Sequence, residues 1–353
     1  MPPTTYPLDS RGMAGSIRAL PAQCRQALES TDGLTVPESY RDARAICVSG
    51  MGGSALAAHV VAGLESAHLR VPLVISNQYS LPGWVGASTL VVLSSYSGGT
   101  AETLATAEQA CARRAMVLGI TTGDPLLALL NGHRLPHYRI VPDHNPSGQP
   151  RLALGYALFG LLGLLWPTGL IPDRRDRAPA AIDRLATLAA ELDPDSGVSP
   201  VPAIVDALRG KAVHVVASEH LQGNAHILAN QLNENAKNQA SWHPLPELNH
   251  HLLEGLTYPE PLQAQTAFLM LHSGRYLTQN RARYVATEAI LRDAGITVAG
   301  LNPPAGLEPL DEALWMIAAG SWLSFLLAMA NGVDPSPIPY VDRLKEELKS
   351  QGY

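Results

Sequence analysis

Apolar residues come in short unbroken runs, and most runs end at glycines or hydroxyls before a stretch of helical spacing begins. Residues 44–49, 72–76, 89–93, 115–120 and 138–141 are such runs in the first half. Strands apolar throughout, rather than alternating, predict a parallel sheet covered on both faces. Helical spacing follows at residues 16–30, 55–65, from 101 onward and at 125–131. The second half repeats the pattern, with strands at 211–218, 266–271 and 296–299 and helices at 224–237, 275–294, 311–330 and 341–350. Strands alternating with helices place the chain in the α/β class. A Pro- and Arg-rich stretch after residue 166 marks a linker, so the expected division is 1–40 (an N-terminal helical extension), 41–165, a linker 166–185, and 186–353.

The 353 residues are 46% hydrophobic and 16% charged, enough for a sizeable core in two domains. Net charge is −6 with no long basic run, which argues against a nucleic-acid partner. Three scattered cysteines, Cys24, Cys47 and Cys111, show no metal-ligand spacing and suit a reducing cytoplasm. Residues 1–9 are polar and Pro-rich and do not read as a signal peptide. The apolar stretch 152–166 is shorter than a membrane span and reads as a buried helix, so no membrane partner is expected.

Two strand ends carry candidate chemistry. Ser95-Tyr96-Ser97-Gly98-Gly99-Thr100 joins a strand to a helix, bringing three hydroxyls and free backbone N–H groups to a helix N-terminus. That combination suits a phosphate, although an ordinary turn with hydroxyl caps has the same composition. Gly50-Met51-Gly52-Gly53-Ser54 stands at a second strand–helix junction and completes neither a Walker loop nor a dinucleotide fingerprint. Ligands in parallel sheets bind at the carboxyl ends of strands, where both loops lie.

Four further residues are candidates. Arg151 heads an apolar helix, where a cation is disfavoured unless solvated or needed by a site. Glu234, between Asn233 and Asn235, is a surface carboxylate or a desolvated base. His250, beside His251, lacks a third metal ligand and is a loop residue or an acid–base group. Lys345 reads first as a solvent-facing helical lysine. Together they describe an anion clamp, a carboxylate, an imidazole and two cations, a set suited to moving a proton between adjacent carbons of a sugar phosphate.

In order along the chain, the two glycine loops, Pro146-Ser147-Gly148-Gln149-Pro150-Arg151, Asn233-Glu234-Asn235-Ala236-Lys237 and Pro246-Glu247-Leu248-Asn249-His250 resemble the bifunctional phosphoglucose/phosphomannose isomerases of the sugar-isomerase (SIS) superfamily. The resemblance runs from about Ile46 to the C-terminus. It implies two SIS domains, each a five-stranded parallel sheet with helices on both faces. It also implies a homodimer, a phosphosugar substrate, and no metal or cofactor. Phosphate binding carries over to Gly53, Ser54, Ser95, Ser97 and Thr100, the isomerising base to Glu234, and enediolate stabilisation to Arg151. Ring opening carries over to Lys345 and to His250, supplied by the neighbouring subunit, with His243 and His251 as possible assistants. Gly99 stands where the family usually has Asn. The family's C-terminal threonine, linked to mannose, has Ser336 as its nearest counterpart. A non-catalytic phosphosugar sensor and a single-substrate isomerase are the rival expectations.

Overall fold

The structure, a computed structural model, describes residues 6–352. Most of the expected leader-free stretch at residues 1–9 therefore lies outside it. Two helices, α1 (Met13–Arg18) and α2 (Leu20–Thr31), open the described chain. The sequence pattern suggested one helix here. Pro21, at the start of α2, lacks an N–H and its ring opposes the carbonyl of the preceding turn, so the helix breaks at Ala19.

The first α/β unit comprises β1 (Ala45–Gly50), α3 (Gly53–Leu64), β2 (Leu73–Ser76), β3 (Thr89–Ser95), α4 (Ala101–Ala112), β4 (Met116–Thr121), α5 (Leu126–Gly132) and β5 (His137–Arg139). Its strands form a parallel sheet in the order β2-β1-β3-β4-β5. Alternate side chains serve the two faces. Cys47, Val91, Leu93 and Val117 pack with Ala107, Ala110, Leu126 and Leu130 of α4 and α5. Ile46, Val48, Leu90, Val92 and Leu118 face the main core with α3 and with α6 (Leu154–Leu165). The order reverses between β1 and β3, so the crevice where such sheets bind ligands opens between the loops that follow those strands.

The stretch expected as a linker, 166–185, is irregular only in part: from Ala178 it is already helix, α7 (Ala178–Leu192), followed by α8 (Val201–Leu208). The second unit then runs β6 (Ala212–Ala217), α9 (Gln222–Glu234), β7 (Ala240–Pro244), α10 (Leu262–Gln265), β8 (Thr266–Leu271), α11 (Thr278–Asp293), β9 (Thr297–Leu301), α12 (Pro309–Ala330) and α13 (Pro339–Ser350). Among the described residues this parallel sheet has four strands, in the order β7-β6-β8-β9, and not the five the resemblance implied. Beyond β9 the chain enters Asn302-Pro303-Pro304, whose prolines cannot donate to a ladder, and turns directly into α12.

All twelve residues of α6 are buried, as expected for a core helix. The 22-residue α12 is long and apolar enough to cross a bilayer by composition, but 83% of its most apolar window is buried within the protein, behind a capping box made by Glu308 and Asp311. Helices α3 and α9 cross between the two sheets at backbone contact. A Cβ on Gly223 would meet His59 and Val60 main-chain atoms at 2.4–2.5 Å, so only glycine permits this approach. Cys24 and Cys47 are buried free thiols, and burial pushes both pKa values up.

Candidate active site

The two glycine loops are bound to each other. The Tyr96 N–H donates to Ser54 Oγ at 2.8 Å, and Ser94 Oγ donates to the Ser54 carbonyl at 2.8 Å. Within the second loop, Ser95 Oγ pairs with Thr100 Oγ1 at 2.7 Å and accepts the Gly98 N–H at 3.1 Å. Gly98 has φ +75°, and a Cβ there would strike the Gly123 carbonyl at 2.0 Å. The hydroxyls therefore differ in accessibility. Ser97 is exposed, Ser54 and Thr100 are half-buried, and Ser95 is fully buried with its hydroxyl turned inward. Thr100 caps α4 in an extended conformation, leaving first-turn N–H groups of that helix facing the loop.

Arg151 joins the first loop to the second unit. Its backbone lies against Gly53, where a Cβ would come within 3.0 Å of Arg151 N. Its carbonyl accepts the Gln231 amide at 3.0 Å. Its side chain is buried, and the guanidinium donates to Asn235 Oδ1 (2.6 Å), Gln149 Oε1 (2.7 Å), Glu234 Oε2 (3.3 Å) and the carbonyls of Pro335 and Ser336 (both 2.9 Å). Those contacts use all five donors of the group. Ser336, buried behind it, contributes its carbonyl to this network.

Glu234 ends α9 with 30% of its side chain exposed, so it is reachable from solvent. Burial raises its pKa, against the lowering pull of Arg151, Lys237 and Lys345. A carboxylate with a raised pKa beside fixed positive charge is a suitable general base. Lys345 itself is exposed on α13, 3.8 Å from Asp342, and its charge reaches Glu234 from there.

Lys237 is a part of the site that sequence reasoning passed over, although it closes the same pentapeptide as Glu234. Held at φ +50°, it folds back so that Nζ donates to the carbonyls of Glu234 (2.8 Å), Asn235 (3.4 Å) and Pro335 (3.1 Å). Burial, then the nearby Arg151, lowers its pKa to about 8. Gln149 and Asn235 were likewise not singled out. Each orients Arg151, a role set by folding and not by spacing.

His250 is not part of this cluster within one chain. It lies exposed in the turn Glu247–His250, past the carboxyl end of β7, whereas Glu234 stands just before that strand begins. His251 is beside it, and His243 points its ring at His214 of β6.

Residues 198–348 match the family model of the bacterial phospho-glucose isomerase C-terminal SIS domain. The chain is 29% identical to a bifunctional phosphoglucose/phosphomannose isomerase of Caldicellulosiruptor bescii, over 95% of this chain and 98% of the relative. It is 30% identical to the protein of the same name from Aquifex aeolicus, over 87% and 91%. Among solved structures, tagatose-6-phosphate ketose/aldose isomerase from Escherichia coli superposes with a TM-score of 0.70 at 14% identity, covering 95% of this chain and 96% of that one. The C-terminal domain of glucosamine-fructose-6-phosphate aminotransferase from Francisella tularensis gives 0.68 at 16% identity, over 92% and 98%. At these identities the structural matches show the fold alone.

Proposed function

Because the chain belongs to the bifunctional phosphoglucose/phosphomannose isomerase family, we infer that it is an aldose–ketose isomerase interconverting glucose 6-phosphate, mannose 6-phosphate and fructose 6-phosphate. The observation that carries the chemistry is the half-buried Glu234 carboxylate, 3.3 Å from a buried arginine beside two linked glycine loops.

In this reading Gly53, Ser54, Ser97 and Thr100, with the α4 N-terminus, hold the phosphate. Ser95 supports them by shaping the loop from within, as its inward hydroxyl suggests. His250 of the neighbouring subunit and Lys345 open the sugar ring by moving protons to and from the ring oxygen and the hydroxyl. Glu234 then takes the proton from C2 and returns it to C1 through a cis-enediol. The electron pair of the broken C–H bond moves toward the carbonyl oxygen, where negative charge develops. Arg151, whose donors are already committed to protein acceptors, acts on that charge through its field and holds Glu234 in place. Rotation about C2–C3 presents the other face of the enediol, so the same base serves both epimers.

The placement of His250 favours a dimeric site, since one chain alone leaves it beyond the far end of β7. Each sheet with its flanking helices is then one SIS-type unit, 41–165 and 186–353, working in the cytoplasm.

The test is an assay with EDTA present, starting from fructose 6-phosphate and following the two aldose phosphates separately. Both products are expected, and Glu234→Gln is expected to abolish both. Glucose 6-phosphate alone would restrict the enzyme to one substrate. Neither product, with fructose 6-phosphate still bound, would make the protein a sensor.

A further inference from the structure

Three polar atoms meet on the side of the second sheet that faces away from α9. His214 and Ser241 are ladder partners on β6 and β7, and His243 lies two residues along on the same face. Trp242, between them in sequence, points to the opposite face and stacks on His226 of α9. His214 Nδ1 lies 3.0 Å from His243 Nε2, and Ser241 Oγ is 2.9 Å from the first and 3.0 Å from the second. The three atoms form a nearly equilateral triangle.

Hydrogen bonding alone satisfies that triangle poorly. Ser241 supplies one hydrogen, and each ring nitrogen either donates or accepts. Two of the three sides can be ordinary hydrogen bonds, while the third brings lone pairs together or shares a hydrogen already in use. A cation accepting all three lone pairs removes the shortfall. Ligands at 2.0–2.1 Å in a tetrahedral site stand roughly 3.3 Å apart, so the triangle need open by only a few tenths of an ångström. His214 and Ser241, though not His243, also line a cavity of about 380 Å³ with Gln239, Glu260, Leu262 and Gln265, from which an ion would reach the triangle. Glu260 brings a carboxylate to the same cavity, and the remaining coordination is open to water.

We propose that His214, His243 and Ser241 form a binding site for a borderline divalent transition metal of the zinc, cobalt or nickel kind. Imidazole and hydroxyl donors in this geometry suit such ions and not magnesium or calcium, which take oxygen shells. Among the described residues no three His, Cys, Asp or Glu side chains converge on one point, so the hydroxyl is integral to the site. The site does not depend on the catalytic reading, since Glu234 belongs to the helix on the other face of the sheet. Its occupancy would tie β7 to the strap of residues 259–265 that covers the cavity.

The test is a titration of the chelator-stripped full-length protein with Co²⁺, reading tetrahedral d–d absorption, and with Zn²⁺ by calorimetry. One equivalent is expected, with Zn²⁺ displacing Co²⁺. His214→Gln and His243→Gln should each weaken binding on the order of 100-fold, while His59→Gln leaves it unchanged. Because the histidine variants touch the sheet, Ser241→Cys provides a second reading at an exposed position. It should tighten binding and add thiolate-to-cobalt charge-transfer absorption. Absence of tetrahedral cobalt bands in the wild type, or binding indifferent to both histidine variants and to Ser241→Cys, would overturn the proposal.

Discussion

The Glu234 carboxylate lies 3.3 Å from the Arg151 guanidinium, and that guanidinium has no donor left to offer a substrate. The pair is thus a prearranged dipole in a partly dry site. Arg151→Lys keeps the charge and loses the fork that reaches Asn235, Gln149 and two carbonyls at once. Steady-state kinetics should show kcat falling on the order of 10²-fold, with KM for fructose 6-phosphate changing much less. A loss confined to KM would reassign Arg151 to phosphate binding.

Lys237 holds the Glu234 main chain and biases the charge of its carboxylate. Lys237→Met should raise the Glu234 pKa further, because a lowering influence is removed. The acid limb of the kcat/KM profile, along which activity falls as Glu234 takes up a proton, should move to higher pH. Lys237→Arg should restore it in part. An unmoved limb with a merely lower plateau would make Lys237 only a helix cap.

Acid should loosen the seam between the sheets. His59 of α3 and His226 of α9 meet with ring centroids 4.3 Å apart, and burial first, then His226, lowers the His59 pKa to about 4. The unfolded chain binds this proton near pH 6.5, before the folded one does. The stability His59 supports is therefore complete above that pH and is lost as pH falls from about 6.5 to 4. Thermal melts across this window should show a shallower decline for His59→Asn than for the wild type.

Two adjacent glycines in the loop from Ser95 to Thr100 should respond oppositely. Gly98→Ala must fit a side chain at φ +75° against the Gly123 carbonyl. Its KM for sugar phosphates should rise on the order of 10-fold or more, with some loss of Tm. At Gly99 a Cβ meets nothing nearer than 3.9 Å, so Gly99→Asn should fold normally and keep its KM.

Subunit mixing tests the origin of the imidazole. If His250 serves the neighbour's site, Glu234→Gln and His250→Ala chains, each inactive alone, rebuild one complete site per mixed dimer. Unfolding and refolding an equal mixture should recover about a quarter of wild-type activity, from random pairing in a two-fold dimer. No recovery would place His250 in its own chain's site, and a His250→Ala chain active by itself would place it outside catalysis.

The first sheet was legible because its strands are apolar throughout and end in glycine loops. β7 was not, because Ser241 and His243 alternate with Trp242 at an edge and the strand ends in Pro244. α7 and α8 were obscured by prolines in their first turns, which mark helix starts as readily as loops. Glu234, Arg151 and the loops could be named from their motifs. The carbonyls of Pro335 and Ser336 could not, since they meet Arg151 from 184 and 185 residues away and main-chain oxygens leave no trace in a sequence.

Gly223 gives the molecule its ruler. α3 starts at Gly53 beside the two glycine loops, α9 stops at Glu234, and the two rods meet backbone to backbone where Gly223 lies against His59 and Val60. The distance between the first glycine loop and the Glu234 carboxylate is therefore set in part by a contact remote from both. A methyl group at residue 223 would have to push the two helices apart, changing that distance while leaving every side chain at its two ends chemically unaltered.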